Sequence, residues 1–188
     1  MNNSKLPCLG KGREAVTYLV NKKYAMKKFK STKSATNIER EGLLQKLASR
    51  TGLSPTVIKI NKVDKYILME KMDYHLVDEM KKRNGNLTKK QQMDIIHIYK
   101  SLDRIGIFHA DSNIMNYMYK NGKLYIIDFG LSRLVDDKLI KQYNTDKPNM
   151  TFMLLGFVLK LKELNCPSTS YAFLAKYLDK EVVKKFDL

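Results

Sequence analysis

Asp111, Asn116 and Asp128 are the residues whose types and spacing point most directly to chemistry. The stretch Tyr117-Met118-Tyr119-Lys120, Asn121-Gly122, Lys123-Leu124-Tyr125-Ile126-Ile127 predicts a β-hairpin closed by a two-residue Asn-Gly turn. Counting back from that turn, Lys120 opposes Lys123 and Asn116 opposes Ile127. Asn116 and Asp128 therefore fall at the same open end. Directly opposed residues in such a ladder lie about 4.5–5.5 Å apart. Two short oxygen-bearing side chains at that separation can share a Mg²⁺ ion. Asp111 precedes Asn116 on the loop that enters the hairpin, and Gly130 follows Asp128 where the chain is expected to turn sharply away. The plain alternative is a polar loop around an ordinary hairpin, which gives no reason for the order of the three residues.

The string His109-Ala110-Asp111-Ser112-Asn113-Ile114-Met115-Asn116, followed by Ile127-Asp128-Phe129-Gly130, resembles the catalytic and metal-binding loops of protein kinases. The resemblance implies ATP and Mg²⁺ as cofactors, Asp111 as the catalytic base, and Asn116 and Asp128 as metal ligands. His109 reads as structural. Leu9-Gly10-Lys11-Gly12-Arg13-Glu14-Ala15 resembles a phosphate-covering glycine loop, which needs small residues so that backbone amides can approach phosphates. Gly10, Lys11, Gly12 and Ala15 are its nucleotide-binding candidates. Gly12-Arg13-Glu14-Ala15-Val16-Thr17-Tyr18 is similar to the G-x-E-A-x-x-Y loop of RIO-type kinases and of the small kinase of the KEOPS tRNA-modifying complex. Tyr24-Ala25-Met26-Lys27 resembles the kinase strand that presents a lysine to the α- and β-phosphates. Strand alternation sends Lys27 and Lys28 to opposite faces, and Ala25, small enough to lie against adenine, shares the face of Lys27.

That lysine needs a glutamate from the following helix. Glu39 and Glu41 both flank its apolar stripe, so periodicity leaves both open. The run Glu41-Gly42-Leu43-Leu44, then Gly52-Leu53-Ser54-Pro55, resembles the E-A-x-x-L…G-x-x-P run of the KEOPS kinase and implies Glu41. Tyr66–Met72 resembles the strand and hinge between kinase lobes, with Met69 as gatekeeper and the backbone of Glu70 to Met72 facing adenine. Met118 would then floor the pocket. The resemblance runs from about Leu9 to Ser132, beyond which Asp146 is expected to anchor the loops.

These residues need a scaffold of two kinds. Leu6–Gly10, Ala15–Val20 and Lys23–Phe29 predict three strands. Thr36-x-x-Glu39 has the pattern of a capping box opening a helix that runs to Arg50 and stops at Gly52. Val57–Ile60 and Lys65–Met69 predict two more strands. After Met72 the pattern turns helical. Thr88-x-x-Gln91 opens a helix with the stripe Ile95, Ile98, Tyr99, Leu102 and Ile105, ended by Gly106. A buried helix near 150–162 and a terminal one over Tyr171–Leu178 complete the chain. The expected fold class is α+β: a bilobal, protein-kinase-like single domain, with a β-rich lobe over 1–72 and a truncated helical lobe over 73–188.

The chain has 188 residues and a formal net charge of +16, from 29 Lys and 6 Arg against 19 acidic residues. Residues 1–35 carry nine basic side chains against Glu14 alone. Such a surface attracts anions. Two cysteines are too few for a disulfide scaffold or a four-thiolate zinc site. The apolar run Thr151–Leu159 is too short to cross a bilayer, and the first residues lack a signal core. No membrane insertion and a cytoplasmic location are expected, in a host cytoplasm if the source is a virus or a secreted effector. Measured against the kinase pattern, Ala110 stands at the usual arginine position, Asn113 replaces a lysine, and no A-P-E motif follows Asp128-Phe129-Gly130. The resemblance implies a serine/threonine-type protein kinase that takes a protein substrate, and these departures imply a minimal one that relies on an activating partner. The partner expected is an acidic protein, a ubiquitin-conjugating complex or a tRNA-associated assembly. The rival expectations are a pseudokinase acting as a binding module and a small-molecule kinase.

Overall fold

In the computed structural model of the chain, residues 6–188 are described. The first five residues, which the sequence reading assigns to the β-rich lobe, lie outside the described residues. Strand β1 (Cys8–Lys11), β2 (Ala15–Leu19) and β3 (Tyr24–Phe29) form an antiparallel meander. Helix α1 (Ala35–Arg50) crosses to β4 (Val57–Asn61) and β5 (Tyr66–Glu70). The sheet order is β1-β2-β3-β5-β4, so β5 enters beside β3 and places Met69 opposite Ala25. The cap of α1 differs from expectation. Ser34 caps it, its Oγ accepting from Asn37 N at 3.2 Å. Thr36 is already within the first turn, and Glu39 pairs outward with Lys62 at 3.0 Å instead of reaching back.

After β5 come β6 (Tyr74–His75), α2 (Leu76–Lys81), α3 (Lys89–Arg104) and β7 (Ile107–Phe108). On α3, Thr88 and Gln91 form the expected reciprocal capping box, and Gly106 ends the helix at φ +68°. Its apolar stripe is buried at Ile95, Ile98, Tyr99 and Leu102. Then follow β8 (Tyr117–Lys120), β9 (Lys123–Ile126), β10 (Arg133–Leu134), α4 (Asp137–Tyr143), α5 (Leu154–Glu163), α6 (Ala172–Ala175) and α7 (Lys180–Phe186). The stretch expected to be irregular thus contains α4, capped by Asp136 through Leu139 N at 2.8 Å. The terminal helix expected over Tyr171–Leu178 is shorter, α6 ending at Ala175, and a further helix, α7, follows it, capped by Asp179. A π-helical turn over Asn149–Met153 precedes α5. No helix among the described residues is long and apolar enough to cross a membrane.

The protein is thus α+β, an antiparallel sheet followed by a mostly helical half, and two cores hold it together. A small one lies under the sheet, built on Ala15, Phe29, Ile38, Val57 and Ile67. A large one surrounds Tyr99, Tyr117, Leu154 and Phe157. Helix α1 belongs to both: Ile38 sits in the first, Leu44 and Ala48 in the second. Each buried Ile, Leu, Val or Phe side chain among these stabilises the fold by about 1.5–3 kcal/mol. The helix that carries Glu41 is therefore fixed at both ends to different bodies of side chains.

Candidate active site

Lys27 is the hub. Its Nζ lies 2.6 Å from Glu41 Oε1 and 2.8 Å from Asp128 Oδ1. Strand β3 presents it, α1 supplies Glu41, and the end of the β8–β9 hairpin supplies Asp128. Lys28 points the other way and donates to Asp64 O. Glu41 is 1% exposed, whereas Glu39 lies on the surface with Lys62. Gly42 lets α1 come this close, since a Cβ there would meet Ile60 Cδ1 at 2.7 Å. Burial works against the charge on Lys27, but Glu41 and Asp128 outweigh it and hold the ammonium above its ordinary range. Burial pushes the Glu41 carboxyl up, against the pull of Lys27. Burial acts upward on Asp128 too, but there the charge and hydrogen bond of Lys27 win, and its carboxyl lies below the ordinary range.

Asp111 and Asn116 stand beside this triad. Asn116 ends a 3-10 turn over Ile114–Asn116, and its carbonyl accepts from Ile127 N at 2.8 Å, the register counted from the Asn-Gly turn. Asn116 Nδ2 reaches Asp111 O at 3.4 Å, which leaves its Oδ1 open. Asp111 Oδ1 accepts from Asn113 N at 3.1 Å. Two residues here hold the left-handed conformation that L-residues avoid: Ala110 at φ +63° and Asp128 at φ +65°. Each such residue costs on the order of 1–2 kcal/mol, so the surroundings must hold them there. The sharp turn thus falls on Asp128 and not on Gly130. Gly130 serves a different need: a Cβ there would stand 3.2 Å from Asp128 Oδ1 and 3.3 Å from Glu41 Oε2.

The loop is anchored from beneath by Asn149, not by Asp146, which is exposed. Asn149 is fully buried. Its Oδ1 accepts from His109 N at 3.0 Å, and its Nδ2 donates to Ile107 O and Asp103 Oδ1, each at 2.7 Å. His109 Nε2 sits 3.0 Å from Ile127 O, so that nitrogen carries the proton, and burial pushes the imidazole down from its ordinary 6.5. The ring packs edge-on against Phe129 at 4.9 Å. His109 is a neutral strut between the two loops.

Around the triad lie the remaining candidates. Gly10 and Lys11 are exposed at the end of β1, paired with Thr17 and Val16 of β2, and Gly12 is exposed in the turn that follows, pinned by Gly12 N donating to Ala15 O at 2.8 Å. Ala15 itself is 6% exposed and packs in the small core, so it offers the loop its backbone and not its side chain. At the hinge, Glu70 N donates to Thr56 O and Lys71 N to Lys23 O, each at 2.9 Å. Among the described residues the Met72 amide has no such partner. Glu70 turns its carboxylate outward to Lys120 and Thr56, leaving only its backbone for a ligand. Ala25 is buried, and Met69 accepts at Sδ from the buried Gln45 at 3.4 Å. Met118 lies half-buried on β8, opposite His75. Lys33, Gln45, Asp103 and Asn149 are site residues that sequence reasoning misses. They lie outside the matching motifs, and periodicity marks neither a buried lysine nor a buried amide.

Among the described residues no three His, Cys, Asp or Glu side chains are grouped to hold a metal ion. The donors present nevertheless suit Mg²⁺. Asp128 uses Oδ1 for Lys27 and Gly130 N, which leaves Oδ2 open, and the bond from Ile127 N to Asn116 O puts Asn116 at the same end of the hairpin. Mg²⁺ takes one or two protein oxygens and completes its shell with phosphate and water.

Comparison with known proteins adds three findings. The RIO domain family matches residues 12–143, more than half of the chain. A probable bifunctional tRNA threonylcarbamoyladenosine biosynthesis protein of Methanobrevibacter smithii is 33% identical over 114 residues, 59% of this chain and 20% of that protein. A probable serine/threonine-protein kinase BUD32 homolog of Archaeoglobus fulgidus is 26% identical over 113 residues, 60% of this chain and 54% of that protein. The chain thus spans about half of one relative and a fifth of the other.

Proposed function

The chain belongs to the RIO domain family, whose fold is protein-kinase-like, and on that premise we propose that it is an ATP- and Mg²⁺-dependent phosphotransferase acting on Ser or Thr hydroxyls of a protein. The observation that carries this reading is Lys27 held between Glu41 and Asp128 at 2.6 and 2.8 Å. In this reading Lys27 leaves Asp128 to meet the α- and β-phosphates, while Glu41 keeps its ammonium aimed. Asn116 Oδ1 and Asp128 Oδ2 would hold Mg²⁺, which neutralises charge on the phosphates when bound. Asp111 would accept the proton of the incoming hydroxyl through its free Oδ2. Gly10 to Gly12 would cover the phosphates with backbone amides, and the Glu70 carbonyl and Met72 amide would take the adenine edge. Such a site works by positioning and electrostatics.

The relatives' names and the +16 charge support a tRNA-associated assembly as the activating partner. The test of the nucleotide site is thermal stability. ATP with Mg²⁺ raises the melting temperature by mass action, and Asp128→Ala removes most of the magnesium-dependent part. An unchanged shift in that variant contradicts the placement of the ion.

A further inference from the structure

Lys33 is a buried cation that the reading above leaves unused. It lies between β3 and α1 and is 8% exposed. Its Nζ bonds the carboxylate of Glu14, in the glycine-rich loop, and stands 3.8 Å from Glu41 Oε2. The other oxygen of Glu41, Oε1, is the one that holds Lys27 at 2.6 Å. Charges therefore alternate along Glu14, Lys33, Glu41, Lys27 and Asp128, from the loop to the hairpin. The backbone fixes the same corner. Lys30 N donates to Glu14 O at 2.9 Å, and Lys33 N donates to Lys30 O at 3.1 Å. Lys33 O in turn accepts from Lys65 Nζ at 3.1 Å. A buried ammonium without counter-charge is expensive, and the two carboxylates supply the counter-charge that its burial requires.

A carboxylate in a phosphate-covering loop is an electrostatic liability, because a triphosphate is repelled by it. The Glu14 side chain is half-exposed. The hydrogen bond from Lys33 holds its carboxyl below the ordinary range against a smaller effect of burial, so it is ionised at neutral pH. Left free, that charge would face the ligand.

We propose, resting on the nucleotide-binding reading above, that Lys33 is a positioning residue that ties off the Glu14 carboxylate and locks the glycine-rich loop to the Glu41–Lys27 pair. Loop closure and the Lys27 pair are then one device, joined by a lysine that touches no substrate.

The test is a double-mutant cycle on the full chain, read as the affinity for ATP with Mg²⁺ by calorimetry. Lys33→Met weakens binding roughly tenfold, the scale of a coupled contact pair. Glu14→Gln changes it less than about threefold, and Lys33→Met combined with Glu14→Gln recovers to within about threefold of wild type, since no free carboxylate remains. Lys33→Arg retains binding. A purely structural lysine gives no such recovery. A double variant as weak as Lys33→Met, or a Lys33→Met protein that binds normally, overturns the proposal. If Lys33→Met does not fold, amide exchange in the nucleotide-free Glu14→Gln protein decides. Faster exchange at Gly12 and Lys30 supports the latch, and unchanged exchange overturns it. Wild type that does not bind ATP overturns the nucleotide-site reading and this inference together, whereas normal wild-type binding with a silent Lys33→Met overturns this inference alone.

Discussion

Lys27 and Lys28 are adjacent and chemically identical, and β3 sends them to opposite sides of the sheet. Lys27→Met is expected to lower phosphate transfer on the order of 10²–10³-fold, the scale of losing a preorganised charge donor. Lys28→Met, which loses only a bond to Asp64 O, is expected to stay within about twofold. Equal losses in a radiometric assay would contradict the register. Glu41→Gln and Glu39→Gln form the parallel pair, with the larger loss expected at Glu41. His109 makes a pH prediction. The native state holds it neutral below its ordinary 6.5, so the unfolded chain takes up a proton first as pH falls. Its contribution is present above 6.5 and is lost as pH drops through that value toward the lowered native one. The urea midpoint should fall between pH 7 and about 5.5, and His109→Phe should flatten that slope. At this scale the sequence was legible where alternation or a turn defines geometry: Asn116 opposes Ile127 because Asn-Gly permits one register. It was not legible for Asn149 or Lys33, whose roles depend on what tertiary packing brings to them. Asp146 was the choice that the kinase resemblance implied, yet an amide that both accepts and donates suits a site needing His109 N, Ile107 O and Asp103 together.

Helix α1 shows how an element decides a residue's use. It spans both cores, and its start fixes the height of Glu41 against β3. Ser34, not Thr36, caps it. Ser34→Ala should cost about 1 kcal/mol by denaturant titration, and Thr36→Ala less than half of that. The opposite order would contradict the assigned start. A capping-box pattern was visible at both Thr36 and Thr88, and it held only at Thr88. There Gln91 is buried and free to reach back, whereas Glu39 finds Lys62 on the surface. The five strands, α1 and α3 were readable from alternation, apolar stripes and glycine stops. Helices α2, α4 and α7 were not, because each is six or seven residues long and too short to show a period. A cap on a short helix is visible only once the turn it closes is known.

At the scale of the whole molecule, family membership, a sheet half and a helical half meet in one small chain. The basic surface is its most general property. If a polyanionic RNA assembly activates the protein, the logarithm of the association constant should fall linearly and steeply with that of salt concentration. A protein partner should give a shallower slope. Full activity of the isolated chain, unchanged by added partner, would contradict the dependence. The central claim is that Asp111, beside the Lys27 triad, serves phosphate transfer from ATP. It is tested most directly by single-turnover transfer of labelled γ-phosphate, comparing wild type with Asp111→Asn at saturating ATP and Mg²⁺ in the presence of the partner. The account predicts a loss on the order of 10²–10⁴-fold in the variant, with ATP still bound. Transfer at the wild-type rate by Asp111→Asn, or ATP bound by wild type with no transfer to any hydroxyl, would contradict it.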